Sequence, residues 1–392
     1  MQTGGPILTL NAGSSSLKFA LFDATQACPE RRYYGALKNL DSKPEFEVFD
    51  AHNVCQLSET TATFNGQQAM RYLLDWLEQQ FSLETLAAIG HRVVHGGSEY
   101  STPMRINPAL LTHLQSLIPL APLHMPHNLA AIHAVQQQSP DLPQVACFDT
   151  AFHRSMSWNE QTYALPHRWF DRGIRRFGFH GLSYEYIVST LPDYPEIDRH
   201  ARIIVAHLGH GASLCAIHKG RSVATTMGFS PLDGVPMATR PGSLDPGIVL
   251  WLMQQALLSP EDIEDLLNHQ SGLLGLSGLS GDMEVLLQST EPAAAEAIDY
   301  FVHHIHRAIA SLTATLGGID TLIFTGGIGE NSATIRQRIC QQARWLGISL
   351  DTTANQNHYS RISPPDAAVS VWRIPTNEEL VIAQHTRQLT VA

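Results

Sequence analysis

RIIVAHLGHGASLCAI, residues 202–217, is two apolar runs joined by a turn of small and polar residues. Each run is short and apolar, as a buried strand would be. The turn between them, HLGHGAS at 207–213, admits two readings. His207 and His210 stand three residues apart, a spacing open to metal binding. Gly209 and Gly211 instead allow a phosphate to approach bare backbone. No cysteine or carboxylate stands at ligand spacing beside the histidines, which weakens the metal reading.

The same design occurs nearer the start. PILTLNAGSSSLKFALFD, residues 6–23, is again strand, Gly/Ser turn, strand. The two segments share little identity but one architecture, as an ancient duplication would leave. Strand patterns elsewhere alternate with helical ones. A buried strand is expected at 144–148, and a helix from 292 to 316. A strand, a glycine turn and a helix are expected across 320–347. A strand, a turn and a helix beginning about Asn377 close the chain. Another helix is expected to start near Asn128, a good N-cap. The Gly/Pro-rich run 227–247 is too broken for regular structure, and SGLLGLSGLSGDM at 271–283 reads as a structured loop. Strand–helix alternation makes the class α/β, with glycine-rich turns after strand ends, where ligands bind in such sheets.

The chain has 392 residues, enough for two domains. It is 44% hydrophobic and only 16% charged, which argues against disorder. A net charge of −11 speaks against nucleic acid or an anionic membrane surface as partner. Five scattered cysteines without a C-x-x-C suggest reduced thiols. Neither a signal-like N-terminus nor a membrane-length apolar run is present, so a cytoplasmic location is expected.

Several residues carry potential chemistry. NAGSSSLK, at 11–18, offers three hydroxyls and Lys18 in a tight turn: a phosphate loop or a solvated hairpin. Arg92 in HRVVHGG sits in an apolar strand, where arginine needs a carboxylate partner or an anionic ligand. Arg240 in ATRPGS poses the same choice. Asp149 directly follows a buried strand, as a metal-associated or catalytic carboxylate or as a helix cap. His180 in GFHG is a catalytic or a satisfied structural histidine. FTGGIGEN, at 324–331, runs a strand into glycines and then a helix, a geometry suited to nucleotide phosphates.

Ten short motifs stand in one order along nearly the whole chain: NAGSSSLK, HRVVHGG, PLAPLH, FDTAFH, RRFGFHG, HLGHGAS, MGFSPLDG, SLDPG, FTGGIGEN and PTNEELVIA. Together they closely resemble the acetate kinase (acetokinase) family, of the acetate and sugar kinase, heat-shock chaperone and actin superfamily. The resemblance implies an α/β fold made of two ribonuclease-H-like domains, an actin-like ATPase duplication with a cleft between them. The expected domains are 1–148, completed by 379–392, for acyl and phosphate binding, and 149–378 for the nucleotide. It implies a homodimer and reversible Mg²⁺- or Mn²⁺-dependent phosphoryl transfer between ATP and acetate, giving ADP and acetyl phosphate.

By motif, Asn11 and Glu378 resemble the metal-associated positions. Lys18 with the turn 11–16, and His207, Leu208, Gly209, His210 and Gly211, resemble two phosphate loops. Gly327, Ile328, Gly329, Glu330 and Asn331 resemble the adenosine site, with Asp282, Met283 and Glu284 as its second wall. Arg92, Asp149, His180 and Arg240 resemble the catalytic set. Val94, Leu123, Phe179 and Pro231, with Arg92, match the acyl-binding positions. Three positions depart from the family's usual pattern: His210 replaces an asparagine, Glu284 an arginine and Met125 an asparagine. Other readings are a propionate-preferring short-chain acyl kinase, a sugar kinase of the superfamily, and a non-catalytic actin-like ATP-binding module.

Overall fold

The computed structural model describes residues 5–13, 16–26, 28–40, 43–61, 66–81 and 85–390. Two compact units divide the chain: Met1–Ala151 with Asn377–Ala392, and Phe152–Thr376. Asp149 and Glu378, placed with the C-terminal domain by the sequence boundaries, therefore lie in the first unit. Asp149 does so because its amide still bonds Val93 O of the first sheet, at 3.0 Å.

Among the described residues, the first unit is built on eight strands: β1 (Ile7–Ala12), β2 (Leu17–Asp23), β3 (Glu30–Lys38), β4 (Glu45–Asp50), β5 (Cys55–Thr60), β6 (Ala88–Val93), β7 (Met104–Arg105) and β8 (Gln144–Phe148). Their order is β5-β4-β3-β2-β1-β6-β8-β7. Strands β1 to β5 form an antiparallel meander, and β1, β6 and β8 run parallel. Side chains alternate across the sheet. Leu8 and Leu10 join Phe19, Phe46, Leu73 and Leu77 in a core under the helix Gly66–Phe81. Ile7, Ala20 and Phe22 face the other way, against Ala383 of the helix Glu378–Thr390. That helix reaches β6 because Gly90 has no side chain. A Cβ there would stand 2.5 Å from Ile382 Cγ2 and 2.2 Å from Thr386 Oγ1.

The second unit repeats the plan. Strands β9 (Arg202–Leu208), β10 (Ala212–His218), β11 (Arg221–Thr225), β12 (Thr321–Thr325) and β13 (Ser370–Arg373) lie in the order β11-β10-β9-β12-β13. The first three are antiparallel, and β9, β12 and β13 are parallel. This matches β3-β2-β1-β6-β8 strand for strand, so the shared pattern of 6–23 and 202–217 is a shared topology. Ile203, Val205, Cys215, Ile217, Ile323 and Trp372 build one of its cores with Tyr184 and Ile187.

The long helix runs over Pro292–Leu316, as its periodicity predicts. Other expectations change. The glycines of FTGGIGEN are not a bare turn, since Gly326–Asn331 is itself helical and Ala333–Gln342 follows. The run at 271–283 contains a short helix, Gly272–Ser277, ended by Gly278 at φ 65°. The helix near Asn128 begins earlier, at Met125, with Pro126 in its first turn. Asn128 is then free of capping duty. It is buried, accepts Val94 N–H at 3.0 Å and donates to Ala12 O at 2.8 Å, pinning the ends of β1 and β6 together.

His91 on β6 is also buried, with Nε2 2.7 Å from Gln144 Oε1. Burial holds it neutral, lowering its pKa from 6.5 to about 4 against the opposing pull of Gln144. Between those values the unfolded chain binds the proton that the folded chain refuses. Stability at this site is therefore full above about pH 6.5 and falls as pH drops toward 4, by at most about 3 kcal/mol. His91→Gln should flatten that dependence. Denaturation at pH 4.5 and 7 checks it, and an unchanged pH difference in the variant would contradict it.

Candidate active site

In the first unit the charged residues gather where parallel strands end, the usual ligand edge of such sheets. Asn11 lies near the end of β1, Arg92 near the end of β6 opposite Cys147, and Asp149 follows β8. Arg92 is mostly buried, its side chain 19% exposed. Its Nη2 pairs with the buried carboxylate of Asp149, and its Nη1 donates to Asn11 Oδ1 at 3.1 Å. Its Nε lies 3.9 Å from Glu378 Oε2. Burial alone would lower the Arg92 pKa, but Asp149 and Glu378 outweigh it and hold the guanidinium above its ordinary value. Glu378 responds oppositely. Burial, opposed by Arg92 and reinforced by Asp149, pushes its carboxyl up to about 7. Asp149 Oδ1 is buried and makes no hydrogen bond among the described residues.

Lys18 stands on β2 directly across from Asn11 and is exposed. Gly13 N bonds Ser16 O at 2.9 Å across the base of the turn. Ser14 and Ser15 of that turn lie outside the described residues. Val94 is buried and Leu123 half-buried.

In the second unit the turn at 207–213 is a tight connection between β9 and β10, closed by Gly209 N donating to Gly211 O at 3.0 Å. β9 pairs with β12, with Thr325 opposite His207, so this turn abuts the glycine helix. Gly326 makes the approach possible. It sits at φ 77°, and a Cβ on it would meet Leu208 O at 2.8 Å. A cavity of about 920 Å³ opens beside the two turns. Of the residues expected to bind nucleotide, Gly209, His210, Asp282, Met283, Glu284, Gly327, Ile328 and Asn331 line it, and so do Thr239, Gly281, Leu287, Ser332, Ala333 and Thr334. Sequence reading missed the latter six. Ser332 to Thr334, directly after the quoted motif, were the most legible of them.

His207, Leu208, Gly211, Gly329 and Glu330 are not among the lining residues. Glu330 works inward. Its Oε1 accepts Gly326 N at 2.8 Å and Thr376 N at 3.1 Å, tying the glycine helix to the segment before the last helix. Arg336, fully buried and missed by sequence, donates to Gly329 O and Glu330 O, each at 2.9 Å, and to both Asn355 oxygens. It thereby satisfies the carbonyls at that helix's end.

His180 is left-handed at φ 58° and precedes the helix Gly181–Thr190. Its ring stacks on His207 at 4.3 Å between centroids. Gly211 leaves space beside it: a Cβ there would stand 3.2 Å from both His180 Nε2 and Arg240 Nη2. Arg240 also donates to Pro231 O at 3.0 Å. Phe179 is buried, its carbonyl bonded to His153 Nε2 at 2.9 Å. His207 is thus packed against His180 and bonded to Ser183 at 2.8 Å. Among the described residues, no group of three or more His, Cys, Asp or Glu gathers to hold a metal, and none brings the His207–His210 pair into one. No helix among them is long and apolar enough to cross a membrane.

The comparisons with known proteins agree over the chain's length. The model of the acetokinase family matches residues 6–384. "Acetate kinase" of Rhodopseudomonas palustris is 48% identical over 392 residues, covering 98% of each chain. That of Rhizobium meliloti is 44% identical, again covering 98% of each. Among solved structures, a propionate kinase from Francisella tularensis superposes with a TM-score of 0.90 at 37% identity, covering 98% of this chain and 99% of the other. Porphyromonas gingivalis acetate kinase does so at 0.87 and 33%, with the same coverage. On the strength of its motifs, its two matching sheets and this agreement, the chain belongs to the acetokinase family.

Proposed function

We propose that this enzyme moves the γ-phosphoryl group of ATP onto acetate, reversibly, giving acetyl phosphate and ADP. Family membership over residues 6–384 carries the reading. The charged cluster of the first unit and the nucleotide-sized cavity of the second supply what the chemistry needs.

A carboxylate oxygen of acetate forms the new P–O bond as the bond from phosphorus to the β–γ bridging oxygen breaks, and ADP departs with that electron pair. Acetate is ionised near neutral pH, so no strong general base is required. The obstacle is repulsion between two anions, and positioning with charge neutralisation removes it. Arg92 and Arg240 are the planar guanidinium groups for this work, able to hold oxygen pairs in bidentate fashion. His180 donates to an equatorial phosphoryl oxygen. Gly209 and Gly327 present backbone to the nucleotide, and Asp282 to Glu284 wall its base. Glu330 and Arg336 hold that wall's opposite side in shape. Val94, Leu123, Phe179 and Pro231 are the residues assigned to the acyl methyl group.

The residues around Arg92 suit Mg²⁺ (or Mn²⁺), which favours one or two carboxylates together with water and phosphate oxygens. Asn11 and Glu378 would hold it, with Asp149 ordering its waters through the oxygen that has no protein partner. Bound there, it would neutralise phosphate charge.

The helix Pro246–Gln254 buries none of its residues. Ile248, Leu250, Trp251 and Met253 on it, and Leu257 beyond it, are all exposed, Trp251 by 58%. So many large apolar side chains exposed on one short segment are costly to leave in water. We assign it to a second copy of this chain, in a homodimer.

Arg92→Ala and Arg240→Ala should each lower kcat by about 10²–10³-fold while the KM for ATP moves little. Equal, small effects on both parameters in a hydroxamate assay would contradict the assignment. The same assay should show acetate ahead of propionate by about 10- to 100-fold, because one methylene is worth about 1–3 kcal/mol, with butyrate slower and glycerol inert. Propionate turning over faster would move the reading to a propionate kinase. Burial first, and then Arg240, hold the His210 pKa below its ordinary value, against the pull of Asp282. His210 is therefore neutral at pH 7, and His210→Asn should keep the KM for ATP within about threefold from pH 6.5 to 8. Light scattering should give a dimer mass for the wild type and a monomer mass for Trp251→Glu; a wild-type monomer would refute the interface.

A further inference from the structure

His180 is connected inward as well as outward. Its Nδ1 lies 2.8 Å from Ser213 Oγ, and Ser213 Oγ lies 2.5 Å from the phenolic oxygen of Tyr184. Ser213 and Tyr184 are both completely buried. Ser213 stands on β10 just past the glycine turn, opposite His207. Tyr184 lies on the helix that His180 precedes. Neither matched a position that the resemblance assigns a role.

The direction of the two hydrogen bonds follows from acidity. A phenol, with pKa about 10, is a far better donor than an aliphatic hydroxyl. A neutral imidazole nitrogen is a better acceptor than a phenol oxygen. Tyr184 O–H therefore donates to Ser213, and Ser213 O–H donates to His180 Nδ1. Nδ1 must then carry a lone pair, which leaves the proton on Nε2. Nε2 is the nitrogen beside the gap at Gly211, next to Arg240 Nη2.

We propose that Tyr184 and Ser213 are positioning residues that lock His180 in the Nε2–H tautomer, so that the opposite edge of its ring is always a donor. The left-handed backbone at His180 fits the same role. A non-glycine residue at φ 58° is strained and persists only where its surroundings hold it. The inference rests on His180 donating to the phosphoryl group, because a fixed donor edge is useful only to a catalytic residue that must present a proton without giving it up.

The test is long-range ¹H–¹⁵N spectroscopy of the whole protein labelled at histidine, with His180 identified by comparison with His180→Asn. The wild type should show one protonated Nε2 and one bare Nδ1. Ser213→Ala should let the two tautomers mix, Tyr184→Phe should shift them less, and Ser213→Thr should restore the wild-type pattern. In kinetics, Ser213→Ala should lose about tenfold in kcat, the value of one hydrogen bond of about 1.4 kcal/mol, with the KM for ATP and for acetate within about twofold. A merely structural serine would lower stability without moving the nitrogen shifts. A proton on Nδ1 in the wild type, or shifts unchanged in Ser213→Ala, would overturn the relay. Full turnover in His180→Asn would instead overturn the catalytic reading of His180, so the two failures are separable.

Discussion

A guanidinium taken out of water has to be compensated where it lies, and Arg92 imposes that requirement on the first unit. Desolvating such a charge costs several kcal/mol unless ion pairs and hydrogen bonds replace the lost water. Asp149 and Asn11 supply direct bonds and Glu378 a longer ion pair. These partners come from the ends of β1 and β8 and from the start of the last helix. Satisfying Arg92 therefore brings together chain segments that are far apart in sequence. It also accounts for the return of the C-terminal helix to the unit that the N-terminus began, packed through the gap at Gly90.

The compensation is incomplete. Asp149 keeps one oxygen without a partner, and Glu378 is pushed up to about 7 by burial despite the nearby Arg92. Perturbed groups of this kind cluster where charge is to be received. The second unit meets an analogous constraint with neutral partners. Arg336 is buried among carbonyls and an amide, with no carboxylate partner among the described residues. Burial lowers its pKa to about 10, still leaving it charged at neutral pH. Its bonds end the glycine helix, Glu330 begins it, and Gly326 lets it press on β9. Three different devices thus fix one short element beside the cavity.

Much of this was legible along the chain. Apolar runs flanking glycine turns marked β1, β2, β9, β10 and β12, because buried strands are continuous in hydrophobicity. The spacing from Pro292 to Leu316 marked a helix of that length. Arg92 was suspicious because arginine in an apolar strand needs a partner. Asn128 was misread for a comparable reason: a cap and a cross-strand brace require the same side chain, and only the start of the helix at Met125 separates them. Glu330 was read as facing the nucleotide because it stands inside a glycine motif, yet its carboxylate serves the backbone around it. Arg336 gave no signal, since an arginine on a helix is ordinarily solvated.

By itself the sequence determined the class, the order of the elements and the family, because those depend on local periodicity and on motifs read in a line. It also placed most of the residues that surround the cavity. Only the tertiary structure decided which charges meet, which side chain faces inward, and that Tyr184 and Ser213 stand behind His180. The reason is physical. Strand and helix preferences act over a few residues, whereas a hydrogen bond between β10 and a helix that precedes it by some thirty positions exists only once both are packed.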